Sequence, residues 1–544
     1  MNSNVRMTKI VLVGTKDNMK ETIDILHSLK IIHIIDFKEH DETFEVGKSL
    51  GEVAIFSELL ISIRSLLHKF DNGLGNIKAT YTKSEVSRNL EKEVFETENI
   101  IKGYSEKIGK IDSVLKEIEN IESIGELKGI GIEKKIISSV NNLISSKSQL
   151  EAYRTELKDQ MDAIIEQESI HLLQYEDFLS NEIEKMEAPL RFTTTKNTFL
   201  IEGWIPENKY QDIKSILKKK FNNRVTIDKV KFSHNEDVPI EFKHPIPIKP
   251  FELLLELFEY PKTKEIDPTF AIFITFPLFY GIMLGDIGYG LTIFFTSLFM
   301  KTKFKTEGWG MILGILEYSS LYTIIFGIIY GEFFGFGIFH FLGIDKIFGL
   351  QMPVLNRITD FMPIMILSMA IGIFHILLGL SFGFINHYRN HNLKKAILEK
   401  GSWIMLIFSI IFLTINIYMS GPFFYIGISL FLTSIILLII GEGFIGLIHI
   451  FSLMSNILSY LRLMAIGLSS VGIAIVINSI VTKVIFPKGG VFILLGYIVL
   501  IGGHMGNILL GIIASFLHAL RLHYVEFFTK FYEGGGVKYK PFGT

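Results

Sequence analysis

The sequence predicts a chain in two parts: a cytoplasmic α/β lobe carrying an antiparallel coiled-coil arm, and a polytopic α-helical membrane domain of about eight transmembrane helices, the last two long and tilted. Three observations predict it. Up to about Lys249 the chain is charged and Lys/Glu-rich, and beyond it come long apolar runs of membrane-spanning length. Short β-branched runs flank helical segments near both ends of the charged part. Between them, apolar residues recur at the three-and-four spacing of coiled coils. The mean hydropathy of +0.38 beside 20% charged residues averages two unlike halves. The expected boundaries put a cytoplasmic part at 1–265, with α/β segments at 1–48 and 190–235 and a helical hairpin at 50–185, and the membrane domain at 266–544.

In order along the chain, "MTKIVLVGTKDNMKETIDILHSLKIIHIIDF" reads as a strand near Lys9 to Val13, a helix, and a strand near Ile31 to Ile35. A second unit of this kind, "TFLIEGWIPENKYQDIKSILKKKFNNRVTIDKV", has a strand near Phe199 to Trp204, a helix opened by Pro206 and Glu207, and a strand near Val225 to Val230. Between them Val53, Phe56, Leu60, Ile63, Leu67 and Phe70 step by three and four, as do Ile101, Tyr104, Ile108, Ile111, Leu115 and Ile118, with Leu90 and Val94 leading in. The glycines of "GELKGIGIE" break the helix, and Leu143, Leu150, Leu157 and Ile164 recur every seven residues on the return. A hairpin of about 40 residues per limb would be roughly 60 Å long. It reads as a helical spacer without catalytic groups.

Composition excludes several classes. The net charge of -2 gives no reason to expect a nucleic-acid partner. The chain has no cysteine, so disulfides, thiolate metal sites and thiol catalysis are excluded together. Nothing near the start has the form of a signal peptide, since Lys16 and Asp17 follow a five-residue apolar run, and the charged half is expected in the cytoplasm. "VGKS" at 46–49 is similar to the end of a phosphate-binding loop, but Glu42 stands where its first glycine belongs. No His-Glu-x-x-His zinc motif is present, and no cofactor is expected.

Beyond Pro268 the apolar blocks are Phe270 to Met300, Met311 to Tyr330, Phe361 to Ile385, Trp403 to Tyr418, Phe423 to Ile440, Phe444 to Val481, and Val491 to about Leu520. The first holds the polar, glycine-flanked break "GDIGYG" and is followed by Lys301, Lys303 and Lys305. Lysines favour the cytoplasmic side, so two short crossings with a turn near Gly285 and Asp286 are expected there. The split also leaves "HYRNHNLKK" and both chain ends in the cytoplasm and "MSGP" outside. Such short crossings need shelter by protein. From Gly443 to Phe486 the chain would run about 65 Å as a helix, so it must tilt or project.

Within Phe444 to Val481 the only fixed charge is Arg462, which cannot be neutralised by losing a proton. Its nearest acidic residue in sequence, Glu442, is about 30 Å away along a helix. The partner is therefore expected from elsewhere, unless the guanidinium bonds carbonyls of a broken helix. A second basic cluster, His518 and Arg521, shares one helical face. His523 reads as a residue that snorkels to the interface. His449, Ser455, Asn456 and Ser459 add polar atoms on the Arg462 helix, where such groups often join helices.

These motifs carry a family likeness. "SYLRLMAIGLSS", "LHALRLHYVEFFTKFYEGGGVKYKPF", "FPLFYGIMLGDIGYG", "GIIYGEFFG" and "LIEGWIPE" together make the whole chain resemble subunit I of prokaryotic V/A-type rotary ATPases, the counterpart of the vacuolar ATPase a subunit. The resemblance implies a stator subunit facing a rotor ring of small membrane subunits, each with a carboxylate. Arg462 would match the family's essential arginine, displacing the ion from each ring carboxylate, and Arg521 and His518 the second basic position and its neighbour. Gly511 stands where a glutamate is expected ten residues before Arg521, so Glu442, or more weakly Glu317, Glu332 and His449, would serve the ion path with Asn456 and Ser459. The implied partners are the ring, peripheral stalk subunits held by the coiled-coil arm, a central-stalk subunit, the soluble ATP-hydrolysing head and the lipid bilayer. The implied location is a prokaryotic plasma membrane. A secondary transporter with a cytoplasmic arm, or a purely structural anchor, would explain the helices without assigning Arg462 this task.

Overall fold

The computed structural model describes residues 5–36, 45–51, 53–68, 99–116, 134–232, 236–339, 343, 346–347, 350–351, 353–419 and 421–544. The chain divides into two compact units, one of Thr8–Lys231 with Lys540–Thr544, the other of Met1–Met7 with Phe232–Tyr539.

In the first unit the strands are β1 (Met7–Thr15), β2 (His33–Ile34), β3 (Glu45–Val46), β4 (Thr193–Thr194), β5 (Thr198–Pro206) and β6 (Val225–Lys229). Its helices are α1 (Met19–Leu29), α2 (Val53–His68), α3 (99–116), α4 (Lys134–Glu187) and α5 (Tyr210–Phe221). The two β-α-β segments, far apart in sequence, form a single sheet ordered β3-β4-β5-β1-β6, with β2 beside β5. Two strands alone would leave an apolar face bare and be marginal in water. Interleaving lets β1 pair antiparallel with β6, and β2 with β5. Ile10 and Leu12 are thereby buried with Phe199, Ile201, Val225 and Ile227, under Ile23 and Leu26 of α1 and Ile213 and Leu217 of α5. Phe542 of the chain's last residues joins this core.

The helices α2 and α3 pack on α4 through positions of three-and-four spacing. Leu60, Ile63 and Ile101 meet Leu172 and Leu179, and Ile111 and Leu115 meet Leu157. Ion pairs Arg64–Glu176 (2.9 Å) and Arg154–Asp112 (2.6 Å) flank these contacts. The expected turn at "GELKGIGIE", with Phe70, Leu90, Val94 and Ile118, lies outside the described residues.

The second unit contains α6 (Thr269–Leu284), α7 (Ile287–Lys303), α8 (Glu307–Tyr330), α9 (Phe361–Arg389), α10 (Ser402–Tyr418), α11 (Phe423–Glu442), α12 (Phe444–Ser459), α13 (Leu461–Ile480) and α14 (Val491–Arg521). Six helical stretches among the described residues are long and apolar enough to cross a membrane, and two reach 45 and 40 residues at Phe444–Lys488 and Val491–Lys530. The first apolar block is two helices. Asp286 ends the turn between them: its carboxylate accepts the N–H groups of Tyr289 (3.0 Å), Phe334 (3.0 Å) and Gly335 (2.8 Å), so the polar break is a built corner. A helix of 16 residues is about 24 Å long, short of a 30 Å hydrocarbon core. The consequence is visible in α6, where Ile272, Phe276, Phe279, Tyr280 and Met283 are buried among neighbouring helices.

Before α6, His244 is buried between two carboxylates, with Nδ1 2.6 Å from Glu252 and Nε2 2.7 Å from Asp267. Asp267 also accepts the Thr269 N–H at 2.9 Å, which starts α6. Although burial alone disfavours the imidazolium, the two carboxylates raise the His244 pKa to about 9. A raised folded-state pKa stabilises the fold fully below the ordinary value of 6.5 and loses that contribution as pH rises through about 9. Thermal unfolding of the wild type against His244→Gln should therefore differ by several degrees at pH 6, with the gap closing between pH 7 and 10. A constant gap across that range contradicts the assignment.

Candidate functional site

The site is built where α12 gives way to α13. Tyr460 sits at the junction, fully buried, its ring against Gly372 of α9 and its hydroxyl 2.8 Å from His375 Nδ1. A side chain at Gly372 would occupy the space the Tyr460 ring fills, so glycine is required for this approach. Anchored in this way, Tyr460 sets the direction of the next turn, which carries Arg462.

Arg462 is half-buried, and one of its terminal guanidinium nitrogens is buried without a hydrogen-bond partner. The charged groups it feels are Arg521 and Glu526. His518 in turn lies in the field of both arginines, and Ser459, whose hydroxyl donates to the Ser455 carbonyl (3.1 Å), lies beside Glu526. The fold thus brings together Arg462, Arg521, His518 and Ser459 from the sequence reading, and adds Glu526. Two guanidinium charges face one carboxylate, so the cluster keeps an excess of positive charge in a low-dielectric setting, where charge acts over longer range than in water. Glu526 stands five residues after Arg521 in "RLHYVEFF", a position that reads as a polar helix end. Its folding back towards Ser459 is a tertiary event with no local signal. Glu526 also leaves one carboxylate oxygen buried and unpartnered.

The other named residues stand elsewhere. Asn456 is half-buried on α12. Glu442 accepts from the Trp403 indole at 2.8 Å and meets the exposed His449 at 3.2 Å, forming a separate group where α11 meets α12. Glu317 is held by Lys301 of α7. His523 is not at an interface; it is 1% exposed, enclosed by α6 and α9.

Glu332 pairs with Arg357, a residue that reads in sequence as part of a polar loop. Arg357 is 3% exposed, and its guanidinium contacts both Glu332 oxygens, with Nε to Oε1 at 3.0 Å. It also donates to the carbonyls of Gly285 (3.0 Å), Gly467 (3.2 Å) and Met283 (3.4 Å), and its carbon lies 4.9 Å from the Tyr330 ring centre. These bonds join the end of α6, the corner at Asp286 and the second turn of α13. Unlike Arg462, this arginine is saturated by its own chain.

Outward from the site, Phe451 and Leu458 on α12 and Leu509, Ile513 and Leu517 on α14 are exposed large apolar residues. Exposed apolar area of this extent needs lipid or another membrane protein against it.

The chain has relatives among known proteins. The model of the V-type ATPase 116kDa subunit family matches residues 132–346 and 444–544, and the second stretch contains Ser459, Arg462, His518, Arg521 and Glu526. A protein of Archaeoglobus fulgidus named A-type ATP synthase subunit I is 32% identical, the match covering 99% of this chain and 98% of that one. A Halobacterium salinarum protein of the same name is 24% identical with 99% and 98% covered. One from Methanocaldococcus jannaschii is 30% identical over 80% of this chain and 67% of its own length.

The Arg357–Glu332 pair generates a stability prediction. Glu332→Gln leaves a buried guanidinium without its counter-charge and should cost about 3–5 kcal/mol, read as a lowered Tm of the purified protein. The double change Glu332→Leu with Arg357→Met should recover most of that loss. A single variant as stable as wild type contradicts the clamp.

Proposed function

The chain belongs to the V-type ATPase 116kDa subunit family, and from that premise we propose that it is the membrane stator of a V/A-type rotary ATPase or ATP synthase, a multi-pass subunit of the plasma membrane working with the other subunits of that complex. The single observation that carries this reading is Arg462: a permanent charge within an apolar helix, with a buried nitrogen unpartnered and Arg521 adding to the positive field.

On this reading, the missing anion is a carboxylate on a rotor ring of small membrane subunits, which turns against the exposed apolar faces of α12, α13 and α14. Arriving protonated or ion-loaded, the carboxylate meets a charge that cannot be titrated away. An opposite unit charge at about 4 Å and an effective dielectric near 20 is worth roughly 4 kcal/mol, enough to move a carboxylate by about three pKa units and release its ion. The same charge repels a free cation and so separates the entry and exit half-channels. His518, Ser459 and Asn456 line the approach to it, and Glu442 with His449 offers polar groups farther along α12. Glu317 and Glu332 are held by Lys301 and Arg357, so their role on this path is the weaker one.

The helices α2, α3 and α4 form the coiled-coil arm that holds peripheral stalk subunits and resists torque. A central-stalk subunit and a soluble ATP-hydrolysing head complete the complex, and this chain contributes no nucleotide site. Eight crossings, counting α6 and α7 as short ones, put both termini on one side, which on this reading is the cytoplasm. Moving one charge across 100 mV is worth about 2.3 kcal/mol, so several ions must cross for each ATP.

ATP-driven ion uptake into vesicles holding the assembled complex tests this reading. Arg462→Ala should abolish uptake while ring and head still copurify with the chain. Uptake near the wild-type rate would show that the arginine is structural.

A further inference from the structure

One cavity within the second unit has no part in the arginine cluster. It has a volume of about 560 Å³ and lies among the end of α9, Lys400 in the helical turn Ala396–Gly401 that leads into α10, and the stretches 262–265 and 529–533. Cavities of this size hold small molecules. With 29 residues α9 is about 43 Å long and outruns a hydrocarbon core of about 30 Å. Its charged end, where Arg389 is exposed, is the end that walls the cavity and reaches the depth of lipid headgroups.

Lys400 enters the cavity across Gly383 of α9. A Cβ at position 383 would stand 3.1 Å from Lys400 Cε and 2.8 Å from the Lys530 carbonyl oxygen, so glycine leaves the groove in which the lysine stem lies. The side chain is half-buried, and its ammonium has no hydrogen bond or ion pair among the described residues. The carboxylates whose fields reach it are Glu399, Glu442 and Glu533, and each is engaged elsewhere. Glu399 meets His387 (3.6 Å) and Lys395 (3.7 Å), Glu442 meets Trp403 and His449, and Glu533 meets Lys262 (2.7 Å). Lys530, half-buried in its turn, adds a second positive field beside Lys400. A partly desolvated ammonium without a counter-charge is costly, so this wall of the cavity lacks an anion. The side-chain amide of Asn390, on the same wall, is without a partner among the described residues and offers a neutral donor.

The rest of the lining limits what that anion can be. Glu265 is buried and its carboxylate accepts the backbone N–H groups of Lys262 (2.8 Å) and Glu533 (2.7 Å). Glu236 and Asp237 also line the cavity. Their charge opposes a ligand with several negative groups, such as a polyphosphate, and leaves a place for one phosphate at Lys400. Phe531 and Tyr532 supply an apolar wall for the carbon part of such a molecule.

We propose that this cavity binds a single phosphate group carried on a small organic body, either a lipid headgroup or a soluble phosphate ester, with Lys400 as its counter-charge and Asn390 as a neutral donor. Basic pockets between membrane helices bind headgroups in this way, and lysine meets phosphate as a point charge. Bound there, the phosphate ties the turn before α10 to the end of α9. The proposal does not depend on the role of Arg462.

The test uses the purified full chain, stripped of lipid in a maltoside detergent, and reads Tm together with the mass of the intact chain. The probes are inorganic phosphate, glycerol phosphate, a short-chain phosphatidylglycerol and, as the phosphate-free control, the diacylglycerol of the same chain length. At least one phosphate probe should bind once per chain and raise Tm by several degrees, and the diacylglycerol should do neither. Phosphatidylglycerol binding at least about tenfold tighter than glycerol phosphate assigns the site to a lipid, and equal binding assigns it to a soluble ester. Lys400→Gln should weaken the phosphate probe at least about tenfold. Asn390→Leu, at an exposed helix end, should weaken it severalfold, and it carries the test if Lys400→Gln does not fold. Lys303→Gln, which removes an exposed lysine outside the cavity, should bind as wild type does. The proposal is overturned if no phosphate probe binds, if the diacylglycerol binds as tightly, or if Lys400→Gln and Asn390→Leu bind within twofold of wild type. It is overturned equally if Lys303→Gln loses as much as Lys400→Gln, which would show attraction to surface charge alone.

Discussion

A guanidinium in hydrocarbon can neither shed its proton nor remain uncompensated at low cost, and two arginines of the membrane unit, Arg357 and Arg462, meet that constraint in opposite ways. Arg357 is enclosed by a carboxylate, three carbonyls and an aromatic face, all from its own chain. Saturated in this way, it locks the end of α6 to α13. Arg462, five residues before the Gly467 carbonyl that Arg357 grips, keeps a buried nitrogen free and shares its surroundings with Arg521. One arginine is fixed so that the other can be presented at a set place with its charge unspent.

Much of the membrane unit serves that presentation. The short helices α6 and α7 cannot each span a bilayer unaided, and their corner is held by Asp286 and covered by neighbours. Tyr460, packed on Gly372 and bonded to His375, holds the α12–α13 junction beside Arg462. Outside these joints the long helices keep exposed apolar faces. A rigid interior with an apolar exterior fits the proposed stator role, in which this unit resists torque while another membrane body slides past it.

What could be read from the sequence follows from the range of the forces involved. Arg462 is conspicuous because charge within an apolar run is an anomaly on its own, and Arg521 and His518 stand out by their spacing on one helix. The split at Gly285 and Asp286 is legible because the lysines that follow demand it. Glu526 and Arg357 are not legible: each is an ordinary polar residue until the chain folds back, bringing Glu526 into the field of Arg462, 64 residues away, and pairing Arg357 with Glu332, 25 residues away. The same holds for the sheet, where β1 and β6 read as parts of separate units and pair across the length of the arm. His523 looks like an interfacial residue by position, and only tertiary packing against Thr275 and His375 shows it buried.

The most direct test of the central claim is structural. In the assembled, membrane-embedded complex, the distance from the Arg462 guanidinium to the nearest carboxylate of another subunit can be measured at successive rotational states. The account predicts that in at least one state a rotor carboxylate comes within about 4 Å, or within one bridging water, of Arg462. If Arg462 is instead saturated by Glu526 in all states while the rotor carboxylates pass at a distance, the account is wrong.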